Sequence, residues 1–259
     1  MFNSLNGKVC VVTGSARSIG LAVAEKYCIE GARVAMIDIN PQVEKEAERL
    51  CSEGFIAKAY ILDITDRDAV LECFEQIESA LGNIYTLVNN AGIVDQRPFE
   101  EITAEQMNRQ MAVNVNGSLF CTQGAVKSMK KNKEGRIINF SSKSGKTGSA
   151  LMAHYSAAKG AIIAMTHALA FELAQFNIKV NCICPGITDA TGVWSEVSSG
   201  YINNLNLPKE EVVKKFTAKI PLGRLTDIQD VVDFVYFLTA SGDYCTGQAF
   251  NITGGREMH

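Results

Sequence analysis

Apolar residues in the first third of the chain fall into short runs separated by stretches in which they recur every three or four positions. Lys8-Val9-Cys10-Val11-Val12 is such a run and ends in Thr13-Gly14, while from Ser18 to Glu30 the apolar positions follow helical spacing. The pattern predicts a strand, a glycine turn and a helix that Gly31 closes. Arg33-Val34-Ala35-Met36-Ile37 then reads as a second buried strand with Asp38 at its carboxyl end, completing a βαβ unit.

The alternation continues. A charged helix is expected from Pro41 to Ser52, a strand from Ile56 to Leu62, a helix from Asp66 to Leu81, and a strand at Thr86-Leu87-Val88. Further strands are expected at Arg136 to Phe140, Lys179 to Ile183 and Gln248 to Ile252. Strands alternating with helices imply an α/β fold, a doubly wound parallel sheet of about seven strands covered on both faces, with ligands at the carboxyl ends. One stretch breaks the rhythm: Thr188 to Leu207 is rich in Gly, Ser and Asn, holds the only tryptophan, Trp194, and precedes an amphipathic segment from Pro208 to Lys219. Residues 188–219 are therefore a candidate substrate lid.

Composition narrows the picture. At 259 residues, 47% hydrophobic and 20% charged with 5 prolines, the chain suits one domain spanning 1–259. The formal charge of −3 provides no field to recruit nucleic acid or an anionic membrane. The beginning of the chain lacks the apolar stretch of a signal peptide and no later segment is expected to approach a spanning length of apolar residues, so the expected location is the cytoplasm. Eight scattered cysteines read as reduced thiols, with Cys182 and Cys184 on one strand face. Neither they nor the three histidines form a ligand motif, and no metal is expected.

Two stretches carry candidate chemistry. In Thr13-Gly14-Ser15-Ala16-Arg17-Ser18-Ile19-Gly20 the glycines permit a tight turn and close approach to a pyrophosphate at a helix N-terminus. With Asp38 closing the second strand, this predicts a dinucleotide site. The carboxylate can accept from the adenosine ribose hydroxyls and repels a 2′-phosphate, which favours NAD over NADP despite Arg17 in the loop. The second stretch is Tyr155-Ser156-Ala157-Ala158-Lys159, preceded by Ser141-Ser142. A four-residue spacing puts Tyr155 and Lys159 on one helix face, where an ammonium can favour the phenolate and make the tyrosine a usable acid/base.

Together these motifs resemble the short-chain dehydrogenase/reductase family across essentially the whole chain. The resemblance is carried by the glycine loop, Asp63 after the third strand, Asn89-Asn90-Ala91-Gly92 after the fourth, Asn114 in Val113-Asn114-Val115, Ser142, Tyr155 with Lys159, and Pro185-Gly186. It implies a Rossmann fold and a catalytic set of Asn114, Ser142, Tyr155 and Lys159. Tyr155 exchanges the substrate proton, Lys159 lowers its pKa and holds the nicotinamide ribose, Ser142 orients the substrate oxygen, and Asn114 supports a water-linked relay. The implied cofactor contacts are Gly14, Arg17, Ser18, Ile19, Gly20, Asp38, Ile39, Asp63, Ile64, Asn90, Ala91, Gly92, Tyr155, Lys159, Pro185, Gly186 and Thr188. A homotetramer is also implied.

Two positions depart from the family pattern. Ser18 replaces the middle loop glycine, and Ala190 stands where a threonine is common, with Thr188 or Thr191 as substitutes. The segments Ser142 to Lys146, Ile220-Pro221-Leu222 and Tyr244 to Gly255 resemble the family's polyol and vicinal-diol dehydrogenases in particular. That resemblance implies a secondary alcohol and ketone pair on a polyol or polyol phosphate. Lys143 and Lys146 are candidates to pair with a phosphate, and Ser142, Tyr155 and Trp194 are further substrate-site candidates. His154 points off the Tyr155 and Lys159 face of a helix, which suits packing or the surface. The alternatives are a dehydrogenase of a small vicinal diol or hydroxysteroid, which the size of the lid pocket would distinguish, and a non-catalytic dinucleotide sensor, which would not need a proton donor.

Overall fold

Alternate residues of the central strands face opposite layers: Cys10 and Val12 lie in one apolar core, and Val9 and Val11 in the other. Both sets are fully buried, and for that reason the strand reads as a continuous apolar run. The computed structural model describes residues 4–189 and 209–258. Among them, β1 (Val9–Thr13), β2 (Arg33–Asp38), β3 (Ile56–Ile61), β4 (Ile84–Asn89), β5 (Gly135–Phe140), β6 (Ile178–Pro185) and β7 (Ala249–Ile252) form one sheet in the order β3-β2-β1-β4-β5-β6-β7. Every neighbouring pair is parallel.

The helices follow the same alternation. Among the described residues they are α1 (Ser18–Ile29), α2 (Gln42–Ser52), α3 (Arg67–Leu81), α4 (Ala104–Met111), α5 (Ser118–Asn132), α6 (Lys143–Thr147), α7 (Ala153–Leu173), α8 (Lys209–Thr217) and α9 (Ile228–Ala240). Val23, Tyr27, Val43, Leu50, Val231 and Val235 put α1, α2 and α9 on one face of the sheet. On the other, Val70, Phe74, Cys121, Ala125, Met129 and Leu173 belong to α3, α5 and α7. Each fully buried Leu, Ile or Val contributes on the order of 1.5–3 kcal/mol. Tyr27 is buried completely, and its hydroxyl meets Thr239 Oγ1 of α9 at 2.6 Å, so its polar end costs little.

The expected strands and helices are present with ends shifted by a residue or two. Asp66, expected as the first helical residue, is the N-cap of α3 and accepts from the Ala69 amide at 3.1 Å. The amphipathic segment before Lys219 forms α8. Ala190, Thr191, Trp194 and most of the expected lid lie outside the described residues; of its start, Thr188 forms a bridge with Thr226, and the Asp189 amide donates a hydrogen bond to the Thr226 carbonyl at 2.9 Å.

One expectation is overturned. Ala153–Phe176, with mean hydropathy 1.2, does have the length and apolar character of a membrane span. Its apolar character has another use, since α7 packs against β5 and β6 and buries Tyr155, Ala158, Lys159, Ile162 and Thr166. Cys182 and Cys184 of β6 share one face, as expected, and pack with Ile162 of α7.

Candidate active site

β1 is flanked by β2 on one side and β4 on the other, so successive crossovers leave in opposite directions at this point and a crevice opens at the carboxyl ends. Thr13, the last residue of β1, staples it. Its Oγ1 accepts from the Asn90 and Ala91 amides, each at 3.1 Å, and Asn90 Nδ2 donates back to the Thr13 and Gly14 carbonyls, each at 3.0 Å. The loops after β1 and β4 thereby become one rigid floor.

The glycines on that floor are required. Gly14 has φ 67°, and a Cβ on Gly20 would lie 2.0 Å from the Gly14 carbonyl oxygen and 2.6 Å from Asn90 Nδ2. Ser18, which replaces a family glycine, keeps the left-handed conformation with φ 56°. A side chain there costs about 1 kcal/mol, which the loop tolerates. Asp38 completes the wall, accepting from the Ala16 amide and the Asn40 amide, each at 2.9 Å. Its carboxylate therefore fixes the glycine loop from across the crevice.

The cleft has a volume of about 740 Å³, well within the range of cofactor sites. Gly14, Arg17, Ser18, Ile19 and Gly20 line its first wall, followed by Asp38 and Ile39, then Asp63 and Ile64. Asn90, Ala91 and Gly92 form the floor, and Pro185, Gly186 and Thr188 the far side. At that far end the cleft reaches Asn114, Ser142, Lys143, Tyr155 and Lys159.

Three elements bring the catalytic candidates together. One turn of π-helix, Ala112–Gly117, joins α4 to α5 and turns Asn114 inward. Asn114 Oδ1 accepts from the Ile93 amide at 3.1 Å, while Nδ2 donates to the Ile93 carbonyl at 3.0 Å and to Gln110 Oε1 at 2.7 Å. A Cβ on Gly92 would meet Asn114 Oδ1 at 2.6 Å and Lys159 Nζ at 3.4 Å, so the backbone must pass bare between them. Ser142 caps α6, accepting from the Ser144 amide at 3.1 Å. α7 presents Tyr155 and Lys159, both buried.

The electrostatics correct one expectation. Burial pushes the Tyr155 phenol up to about 12; the neighbouring Ser142 hydroxyl offsets part of that rise. Burial outweighs the lowering expected of Lys159, and it brings that ammonium itself down to about 8, with Nζ donating to the Phe140 carbonyl at 2.8 Å. Helical spacing does put the two on one face, but with Nζ 5.8 Å from the ring centre.

Lys146 is a second correction. Three residues after Lys143 on a short helix, it donates to the Ala249 carbonyl of β7 at 2.6 Å and does not line the cleft, where a substrate phosphate was expected to meet it. Lys143 does line the cleft. His154 is buried rather than exposed, with Nε2 3.5 Å from Asp95 Oδ2. Arg256, Phe216, Met152 and Ile187 also line the cleft and were not anticipated. The signal available for Arg256 was its position directly after Gly254-Gly255, a turn that redirects the chain.

A dinucleotide-type crevice at a topological switch point, ending in a buried Tyr, Lys and Ser set, defines an oxidoreductase of the Rossmann type. The chain belongs to the short chain dehydrogenase family, whose model matches residues 8–201. Sorbitol dehydrogenase of Cereibacter sphaeroides is 38% identical over 256 residues, covering 98% of this chain and 99% of that protein. Galactitol 2-dehydrogenase of Agrobacterium fabrum is 34% identical over 256 residues, with coverage of 98% and 99%. The crystal structure of NAD+-bound xylitol dehydrogenase superposes with a TM-score of 0.92 at 31% identity, covering 97% of this chain and 99% of that one.

Proposed function

We propose that the protein is an NAD-dependent dehydrogenase that interconverts a secondary alcohol and a ketone on a polyol or polyol phosphate such as sorbitol 6-phosphate. The observation that carries this reading is that one cleft joins Asp38 at one end to Ser142, Tyr155 and Lys159 at the other. The similarity to sorbitol and galactitol dehydrogenases, and to a xylitol dehydrogenase with NAD+ bound, supports the polyol and the cofactor.

The residues suit NAD by their chemistry. The bare backbone at Gly14 and the N-terminus of α1 would hold a pyrophosphate, and the Asp38 carboxylate would accept from adenosine ribose hydroxyls and repel a 2′-phosphate. When bound, the nicotinamide accepts or supplies the hydride. Ser142 orients the substrate oxygen and Tyr155 takes or returns its proton. Lys159 supplies the positive charge that favours phenolate once the cleft is filled, and Asn114 fixes the Gly92 and Ile93 backbone beside it.

The large apolar Phe171 on α7 is 90% exposed, which fits a chain that assembles, and a cytoplasmic homotetramer is the form we expect. Assaying sugar alcohols, their phosphates and small vicinal diols by NADH absorbance tests the reading. No turnover of any polyol, alongside turnover of another alcohol class, would reject it.

A further inference from the structure

The cleft wall beyond Ser142 carries a pair of cations with a single carboxylate between them. β7 is followed by Thr253-Gly254-Gly255, and the two glycines, at φ 61° and 91°, fold the chain back against Ile220 and Pro221. A Cβ on Gly254 would lie 2.7 Å from Ile220 Cγ2, and one on Gly255 2.9 Å from Pro221 Cγ, so this turn is specific to glycine. The returning segment is then locked. The Glu257 amide donates to Thr253 Oγ1 at 3.2 Å, and the Glu257 carbonyl accepts from Asn251 Nδ2 at 3.1 Å and from Thr253 Oγ1 at 3.3 Å. Arg256 is thereby directed into the cleft.

Glu257 Oε1 stands 3.4 Å from Arg256 Nε and 3.7 Å from Lys143 Nζ. Both cationic side chains are 18% exposed and the carboxylate 10%, so the group is largely withdrawn from water. Two cations against one carboxylate leave an uncompensated positive charge in a partly desolvated wall, which is costly unless an anion joins it. The Lys143 pKa is lowered, by burial first and then by the like charge of Arg256, with Glu257 opposing the shift and Lys219 adding a further positive charge nearby.

The two cations differ in what they have left to offer. Lys143 already donates to the Gly148 carbonyl at 3.0 Å. The Arg256 guanidinium lies over the Phe216 ring at 5.6 Å, and among the described residues its terminal nitrogens make no hydrogen bond. A stacked guanidinium steered through Nε presents its outer edge as a two-pronged donor, the geometry that suits a phosphate or carboxylate.

We propose that Arg256, steered by Glu257 and seconded by Lys143, binds an anionic group at the end of the substrate remote from the reacting carbinol. The substrate class is then a polyol bearing a terminal phosphate monoester or carboxylate. This inference rests on the polyol reading above and narrows it.

The test is steady-state kinetics of the wild-type enzyme, Arg256→Gln and Arg256→Lys with sorbitol 6-phosphate, gluconate and sorbitol at saturating NAD. The wild type should favour one of the anionic substrates over sorbitol. In Arg256→Gln the ratio of kcat/KM for that anion to kcat/KM for sorbitol should fall about 10- to 100-fold, mainly through KM, with Arg256→Lys in between. Whether sorbitol 6-phosphate or gluconate leads separates phosphate from carboxylate. A wild type that prefers sorbitol overturns the inference and leaves the polyol reading standing. An equal fall for charged and neutral substrates, or a loss confined to NAD affinity, also overturns it, because Arg256 would then support structure or cofactor. Turnover of none of the three substrates rejects both readings.

Discussion

Lys159 donates its ammonium to the carbonyl oxygen of Phe140 at 2.8 Å, while its Nζ stands 5.8 Å from the centre of the Tyr155 ring. The lysine is anchored to the end of β5, so the strand that carries Ser141 and Ser142 to the cleft also sets the height of the charge beside the tyrosine. A buried ammonium whose one acceptor among the described residues is this carbonyl destabilises the fold, and its pKa near 8 reflects that.

A stability test follows for Lys159→Met. The folded-state pKa of about 8 lies below the unfolded value near ~10.4, so the folded protein binds fewer protons between these limits. The cost of burying the charge is complete below pH 8 and is relieved as the pH rises toward the unfolded value. Lys159→Met should therefore raise the melting temperature at pH 7, and the gain should shrink by pH 9.5. Thermal melts at the two pH values check it; a gain that is the same at both would show that the charge is not the cause.

Tyr155→Phe removes the proton donor and leaves the ring, whose packing with Met152 and Val94 is apolar. kcat should fall by about 10³-fold, within the usual range for losing a general acid or base. NADH affinity, followed by fluorescence, should change little. A variant that retains most of its turnover would remove Tyr155 from the mechanism.

Asp38→Ala should erode the choice of cofactor. Losing the carboxylate removes both the repulsion of a 2′-phosphate and the acceptor that holds the Ala16 amide. The ratio of kcat/KM with NAD to that with NADP should drop at least tenfold, that is by about 1.4 kcal/mol. A wild type that prefers NADP would contradict the assignment from the outset.

Ser18→Gly should stabilise the protein by up to about 1 kcal/mol, since a non-glycine residue at φ 56° carries backbone strain that glycine does not. Urea denaturation monitored by circular dichroism measures this. Destabilisation would mean that the Ser18 side chain contributes more than its backbone costs.

Lys146→Ala should act on stability and not on specificity. The hydrogen bond from Lys146 to Ala249 ties α6 to the edge strand β7, and its loss should cost about 1–2 kcal/mol. The melting temperature should drop by about 2–4 °C for each kcal/mol lost. Discrimination between a polyol and its phosphate should stay as in the wild type; a selective loss on the phosphate would return Lys146 to the substrate site.

Much of the fold was legible because its information is local. The buried strands are unbroken apolar runs, the helices repeat every three to four residues, and Gly14 and Asp38 fall where the first βαβ unit turns and closes. Gly14, Asp38, Asp63, Asn90, Ser142 and Pro185 of the cleft were legible for a related reason: each lies at or just beyond the carboxyl end of a strand, and a parallel sheet brings all such ends to one edge. Lys143 and Lys146 show the limit. Both follow Ser142 within four positions and, three apart, share one face of the short helix α6, yet one lines the cleft and the other grips β7, because α6 packs between cleft and edge strand and the two side chains extend in different directions.

The sequence by itself determined the alternating architecture, the switch-point crevice and the pairing of Tyr155 with Lys159 on one helix face, since periodicity and spacing act over a few residues. Tertiary structure alone decided the state of that pair, because burial and the Phe140 carbonyl, not helical proximity, govern the lysine. It also decided that Arg256, 97 positions beyond Lys159, shares its cleft: the glycine turn folds the end of the chain back, and such a long-range contact leaves no local pattern to read.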